Sequence, residues 1–204
     1  MKDLPGNIKI VFEDDDLLVI NKPAGLLVIP TPKNEKYTLT SILKAHPCHR
    51  LDRDTSGFII YAKKKEVQCR MIEAFRERTV KKKYLAFVQG FLPNQQGVIT
   101  KKIEGKEAIT YYRVLDKKKE GFSIVEVAPI TGRTNQIRIH LAALGHPIIG
   151  ERKFAFGKDY LLKFRRIALH AQCLEFDHPT TFEHLRFWAN MPKDMSNFLF
   201  HPTN

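Results

Sequence analysis

The chain of 204 residues carries 34 lysines and arginines against 22 aspartates and glutamates, a net charge of +12, and 43% of it is hydrophobic. That length and apolar fraction fit one compact domain over residues 1–204, and no apolar run approaches the roughly 20 residues of a membrane span. The charge points to nucleic acid as partner, since a phosphate backbone attracts a basic surface; an anionic membrane would want a basic amphipathic helix or a lipid anchor, and neither is evident.

In chain order, residues 8–13 and 17–21 read as two strands of a hairpin around Asp14-Asp15-Asp16, closed by Asn21-Lys22-Pro23-Ala24-Gly25. Leu39, Ile42 and Leu43 recur at helical spacing behind Thr38, so a short helix is expected over 38–45, stopped by Pro47. A strand follows over 57–62, then an amphipathic helix over 66–78 with Val67, Met71, Ile72 and Phe75 on one face. The lysines 81–83 precede a strand over 84–90 and read as a solvated edge that discourages pairing.

Residues 98–103, 108–115 and 122–127 form a meander with turns at Glu104-Gly105 and at 117–121. Ile137, Leu141 and Leu144 place the polar run from Thr131 on a short helix that Gly145 ends. After residues 167–171, two strands at 174–176 and 182–188 around a turn at His178-Pro179 and a closing helix over 192–200 complete the chain. Short strands with inserted rather than alternating helices indicate an α+β fold, with a mixed, mainly antiparallel sheet and flanking helices.

Two polar clusters carry the chemistry. In the first, residues 49–63 (HRLDRDTSGFIIYAK), Asp52 stands between Arg50 and Arg53 where the chain turns into an apolar strand. An ordinary turn with neutralising arginines accounts for that composition, and so does a catalytic loop fixed to a rigid strand. The second, residues 131–141 (TGRTNQIRIHL), concentrates Arg133, Arg138 and His140. Residues 1–16 hold no apolar h-region or cleavage site, so the chain reads as cytoplasmic.

Cys48, Cys69 and Cys173 form no CxxC pair and leave an odd one, against a disulfide framework or zinc ribbon. The eight histidines show no HxH or HExxH spacing, so no metal is expected. No phosphate-binding glycine loop appears, and none of the nucleotide cofactors that would need one is expected.

The segment 49–57 resembles the HRLDxxTSG signature of the RluA-type pseudouridine synthases at all its fixed positions: His49, Arg50, Leu51, Asp52, Thr55, Ser56 and Gly57. Other runs resemble family motifs in the same order: NKPxG at Asn21 to Gly25, KxYxAxVxG around Tyr84, GRTHQIRxHxxxxGHPIxGD from Gly132, and LHA at Leu169 to Ala171. Two departures stand out. Asn135 replaces the usual histidine, and Glu151 the usual aspartate.

The resemblance implies a pseudouridine synthase-like catalytic domain with a central cleft, and isomerisation of uridine in ribosomal or transfer RNA. It implies Asp52 as catalytic carboxylate, Arg138 as its ion-pair partner and Tyr84 as the ring packed on the base. It places Arg50 in the gap left by a flipped nucleotide, Ile139 on the apolar wall, Lys22 at an RNA phosphate, and His49, Arg133 and Thr55 among the substrate contacts. Neither metal nor organic cofactor is implied, and a monomer is expected. A catalytically silent RNA-binding or ribosome-assembly protein is the alternative; the retained Asp52, Tyr84 and Arg138 weigh against it.

Overall fold

The computed structural model describes residues 3–4, 8–155 and 162–202. Within it the chain forms two compact units: residues 1–81 with 173–189, and residues 82–172 with 190–204. Neither is continuous in sequence, which is why no linker marks a boundary between them. The pairings with resolved register are antiparallel, as the α+β expectation requires.

In the first unit the strands β1 (Asp3–Leu4), β2 (Ile8–Glu13), β3 (Leu17–Lys22) and β5 (Ser56–Ala62) lie side by side in that order, and β4 (His46–Pro47) also pairs with β5. Asp14 shapes the β2–β3 turn, its carboxylate accepting the N–H groups of Asp16 and Leu17 at 2.8 and 2.7 Å. Every residue of β5 is buried, so its sequence reads as an apolar run without alternation.

Helix α1 (Leu39–Leu43) begins with reciprocal hydrogen bonds between Thr38 and Ser41. It stops at Lys44, which takes a left-handed conformation (φ 52°), before the expected Pro47. Helix α2 (Lys65–Arg76) lies against β4 and β5 and buries Val67 and Met71 with Leu17, Phe58 and Ile60. Leu174 and Phe176, from the far half of β10 (Leu169–Asp177), complete that core, and β11 (His184–Trp188) pairs with this half of the strand. The strand expected at 174–176 is longer, beginning at Leu169.

The second unit orders its strands as β6 (Lys81–Gln89), β9 (Phe122–Pro129), β8 (Thr110–Lys118) and β7 (Gln96–Ile99). The lysine run lies inside a paired strand, contrary to its reading as an unpaired edge. The pleat sends alternate lysines to opposite faces, and Lys83 reaches Glu126 of β9 at 3.4 Å. Helix α3 (Gln136–Ala143) packs on β8 and β9, and α4 (Lys193–Phe200) brings Phe198 against Phe87, Phe122 and Phe164. No helix among the described residues is long and apolar enough to cross a membrane. All three cysteines are free, with Cys48 and Cys173 buried.

Candidate active site

In the first unit the signature forms a tight turn. The Thr55 N–H donates to the Asp52 carbonyl at 3.1 Å, leaving Arg53 and Asp54 at the apex, and Asp52 itself is half-buried. The apex is held from beneath. Lys22, 0% exposed, donates from Nζ to the carbonyls of Pro23 (2.8 Å), Leu26 (2.9 Å) and Arg53 (3.0 Å).

Gly25, at φ 86°, adds its own N–H to the Arg53 carbonyl at 2.8 Å. The phosphate contact expected of Lys22 is therefore corrected: three donors spent on backbone oxygens make it an internal clamp that joins the NKPAG loop to the Asp52 turn. Sequence reasoning missed this because lysine is almost never fully buried.

His49 also works inward. The Ile60 N–H donates to its Nε2 at 3.0 Å, which requires the proton on Nδ1, and the ring lies 4.6 Å from that of Phe75. It fixes the entry to the turn against β5. Thr55 is buried at 2% exposure and acts through its backbone, while Arg50 is exposed.

In the second unit the run 131–141 is only partly helical. Asn135 is left-handed (φ 55°, ψ 22°), so α3 starts at Gln136; Arg133 and Thr134 precede it, where the sequence led to one helix carrying the whole run. Gln136 accounts for that local shape. Its Oε1 accepts from the Thr131 hydroxyl (2.7 Å) and the Arg133 N–H (3.0 Å), and its Nε2 donates to the Ile109 carbonyl and Thr110 Oγ1, both at 2.9 Å.

One turn on, buried His140 lies 2.9 Å from Thr110 Oγ1 through Nδ1 and 2.9 Å from the Lys101 carbonyl through Nε2. A carbonyl only accepts, so Nε2 carries the proton; burial keeps the imidazole less basic than usual, against the opposing pull of the Lys101 carbonyl. Both anchors were missed, although Gln136 and His140, four apart and each next to an apolar residue (Ile137, Leu141), signal one buried helix face.

With the helix so fixed, Arg138 and half-buried Ile139 are carried on it. Arg138 donates from Nε to Glu151 Oε2 at 2.6 Å and from Nη2 to Glu151 Oε1 at 2.8 Å, a two-pronged ion pair. Its Nη1 donates to Asn135 Oδ1 at 2.8 Å, and the Phe154 ring lies 5.1 Å from its guanidinium carbon. Arg133, exposed, donates from Nε to the Glu107 carbonyl at 2.9 Å. Tyr84, on β6, is 9% exposed.

Burial pushes the Glu151 carboxyl up, but Arg138 and the N–H groups of Lys153 and Phe154 outweigh it and hold the group below its usual 4.5. A folded pKa below the unfolded one stabilises the fold above pH 4.5 and loses that contribution as pH falls through the lower folded value. Denaturant midpoints should therefore be indifferent to this group from pH 6 to 8 and decline in acid, roughly below pH 4.5. Glu151→Gln should make the acid limb shallower; an unchanged limb would refute the linkage.

The chain thus presents a half-buried carboxylate on a clamped turn in one unit, and in the other a guanidinium with a fixed direction. The sequence model of a family described as RNA pseudouridylate synthase matches residues 16–143. The dual-specificity RNA pseudouridine synthase RluA of Pasteurella multocida is 39% identical over 203 residues, 89% of this chain and 92% of that protein.

The ribosomal large subunit pseudouridine synthase D of Zymomonas mobilis is 33% identical, over 95% of this chain and 72% of that protein. Among solved structures, human RNA pseudouridylate synthase domain containing 4 superposes with a TM-score of 0.78 at 27% identity, covering 94% of this chain and 91% of that one.

Proposed function

Because the chain belongs to the RNA pseudouridylate synthase family, we propose that it isomerises uridines of ribosomal or transfer RNA with Asp52 as catalytic carboxylate. The observation that carries the assignment is the Asp52 turn, whose apex carbonyl accepts from both Lys22 and Gly25. A group held that firmly can meet a ribose or base without paying for its own ordering.

In the reaction the bond from the uracil nitrogen to the ribose breaks, the ring turns, and a ring carbon bonds to the ribose and gives up its hydrogen as a proton while the freed nitrogen takes one up. The change is redox-neutral and retains the uracil, so the chemistry calls for neither metal nor organic cofactor. Arg138 serves as the cation for the catalytic carboxylate, Tyr84 as the ring against the target base and Ile139 as an apolar wall. Arg50 occupies the space of the flipped nucleotide, whose unstacking costs a few kcal/mol. Arg133 takes a backbone phosphate. The protein acts as a monomer in the cytoplasm.

Pseudouridine mapping of total RNA from cells with the gene intact, deleted, or carrying Asp52→Asn tests this reading and names the substrate. Sites lost in both altered strains are the expected result. Sites kept by Asp52→Asn would remove Asp52 from catalysis, and sites kept on deletion would favour an RNA-binding protein without activity.

A further inference from the structure

The two positions at which the second motif departs from its usual residues meet on one side chain. Asn135 and Glu151, 16 residues apart (151 − 135), both accept from Arg138, through Nη1 in the first case and through Nε and Nη2 in the second. Glu151 is the deeper partner, its side chain 1% exposed against 15% for Arg138. A long arginine side chain has many rotamers, and aiming its planar fork in a single direction requires brackets on more than one edge. Here the two acceptors grip different edges of the guanidinium, and the Phe154 ring adds a third contact.

We infer that Glu151, with Asn135, is a positioning residue that aims the Arg138 guanidinium for the isomerisation, an inference that rests on the role proposed above for Arg138. Two jobs of Glu151 can be separated atom by atom. Its Oε1 accepts the N–H groups of Lys153 (2.7 Å) and Phe154 (3.2 Å) and so shapes the turn, in addition to taking Arg138 Nη2. Its Oε2 accepts from Arg138 Nε.

In Glu151→Gln the amide oxygen can occupy the Oε1 position and preserve the turn, while the amide nitrogen meets Arg138 Nε–H donor against donor. The substitution therefore loosens the guanidinium and leaves the local backbone supported. A role confined to the turn predicts no effect on chemistry; a role in aiming Arg138 predicts a slower step with little change in RNA binding.

The test uses the full chain with total RNA from a strain lacking the gene, tritiated on the uracil carbon that loses its hydrogen, and follows tritium release with enzyme in excess. For Glu151→Gln the plateau rate should fall at least ~10-fold, with the half-saturating enzyme concentration within ~3-fold of the parent. Its melting temperature should fall, since the ion pair that stabilises the fold above pH 4.5 is lost, so release is followed well below it. In parallel, the Arg138 Nε–H resonance, protected from solvent exchange in the parent, should exchange at least ~10-fold faster in the variant, a change a turn-only role would not produce.

A parental rate or parental protection in Glu151→Gln overturns the positioning role. Arg138→Ala distinguishes this from failure of the underlying reading. If Arg138→Ala releases tritium like the parent, the role given to Arg138 falls; if it is slow while Glu151→Gln is normal, Arg138 keeps its role and Glu151 loses the one inferred here.

Discussion

Replacing Lys22 by methionine is expected to destabilise the protein by about 3 kcal/mol or more, because three backbone carbonyls lose a charged donor in a site with no water access. Methionine approximates the length of the lysine stem, so packing is largely kept and the loss isolates the ammonium. Activity should suffer more than stability alone explains. The Arg53 carbonyl is the apex of the Asp52 turn, and a displacement of about 1 Å at a catalytic group can cost ~100-fold in rate.

Urea midpoints and tritium release measured well below the melting temperature would separate the two effects. A variant as stable as the parent would mean that Gly25 and solvent satisfy the carbonyls; a stable fold with normal turnover would remove Lys22 from any part in placing Asp52.

Gly150→Ala is the second substitution with a large expected cost. Gly150 sits at φ 85°, and a Cβ there would lie 1.8 Å from the Arg166 carbonyl oxygen and 2.7 Å from its carbon. Neither side can retreat. The Ile149 N–H donates to the Phe87 carbonyl at 2.8 Å while the Ile149 carbonyl accepts from Ala168 at 2.9 Å. Across the contact, the Arg166 guanidinium is tied to Asp194 and to the carbonyls of Ile167 and Leu169.

Left-handed strain of roughly 1–2 kcal/mol and overpacking of about 1–3 kcal/mol combine to about 2–5 kcal/mol, and the displacement falls on the residue preceding Glu151. Gly145→Ala is the control. It shares the positive φ (81°) but has nothing within 4 Å of the added carbon, so only the strain should register. Equal losses in both variants, read from thermal or urea unfolding, would show that the Arg166 contact is relieved cheaply.

The contrast between these positions explains what the sequence made legible. Strands β2, β3, β5 and β9 were visible because apolar runs and alternation are local properties, and the Thr38 cap and Gly145 stop are local too. The residues of the two polar clusters could be named from the motifs they resemble. What local reading missed was decided by distant partners.

Lys22 has the composition of a solvated residue, and its burial depends on an acceptor 31 positions away at Arg53. The lysines of β6 read as an edge until Glu126 on the next strand supplies a partner. The left-handed turn at Asn135 interrupts a helical pattern that the apolar residues alone continue. Glu151 was noticed only as a departure from a motif, since nothing near it in sequence reveals that Arg138 lies against its carboxylate.

The discontinuity of the first unit bears on how the protein is made. Its core needs Leu174 and Phe176 beside Leu17, Phe58 and Ile60, yet residues 82–172 of the other unit are translated in between. At roughly 5–20 residues per second the nascent first segment waits several seconds, with the uncovered side of those apolar strands open to chaperones before its remaining strands leave the ribosome. The second unit waits as well, since Phe198 of its closing helix packs on Phe87 and Phe122. A ribosome stalled before residue 173 would therefore hold a chain in which neither core can close.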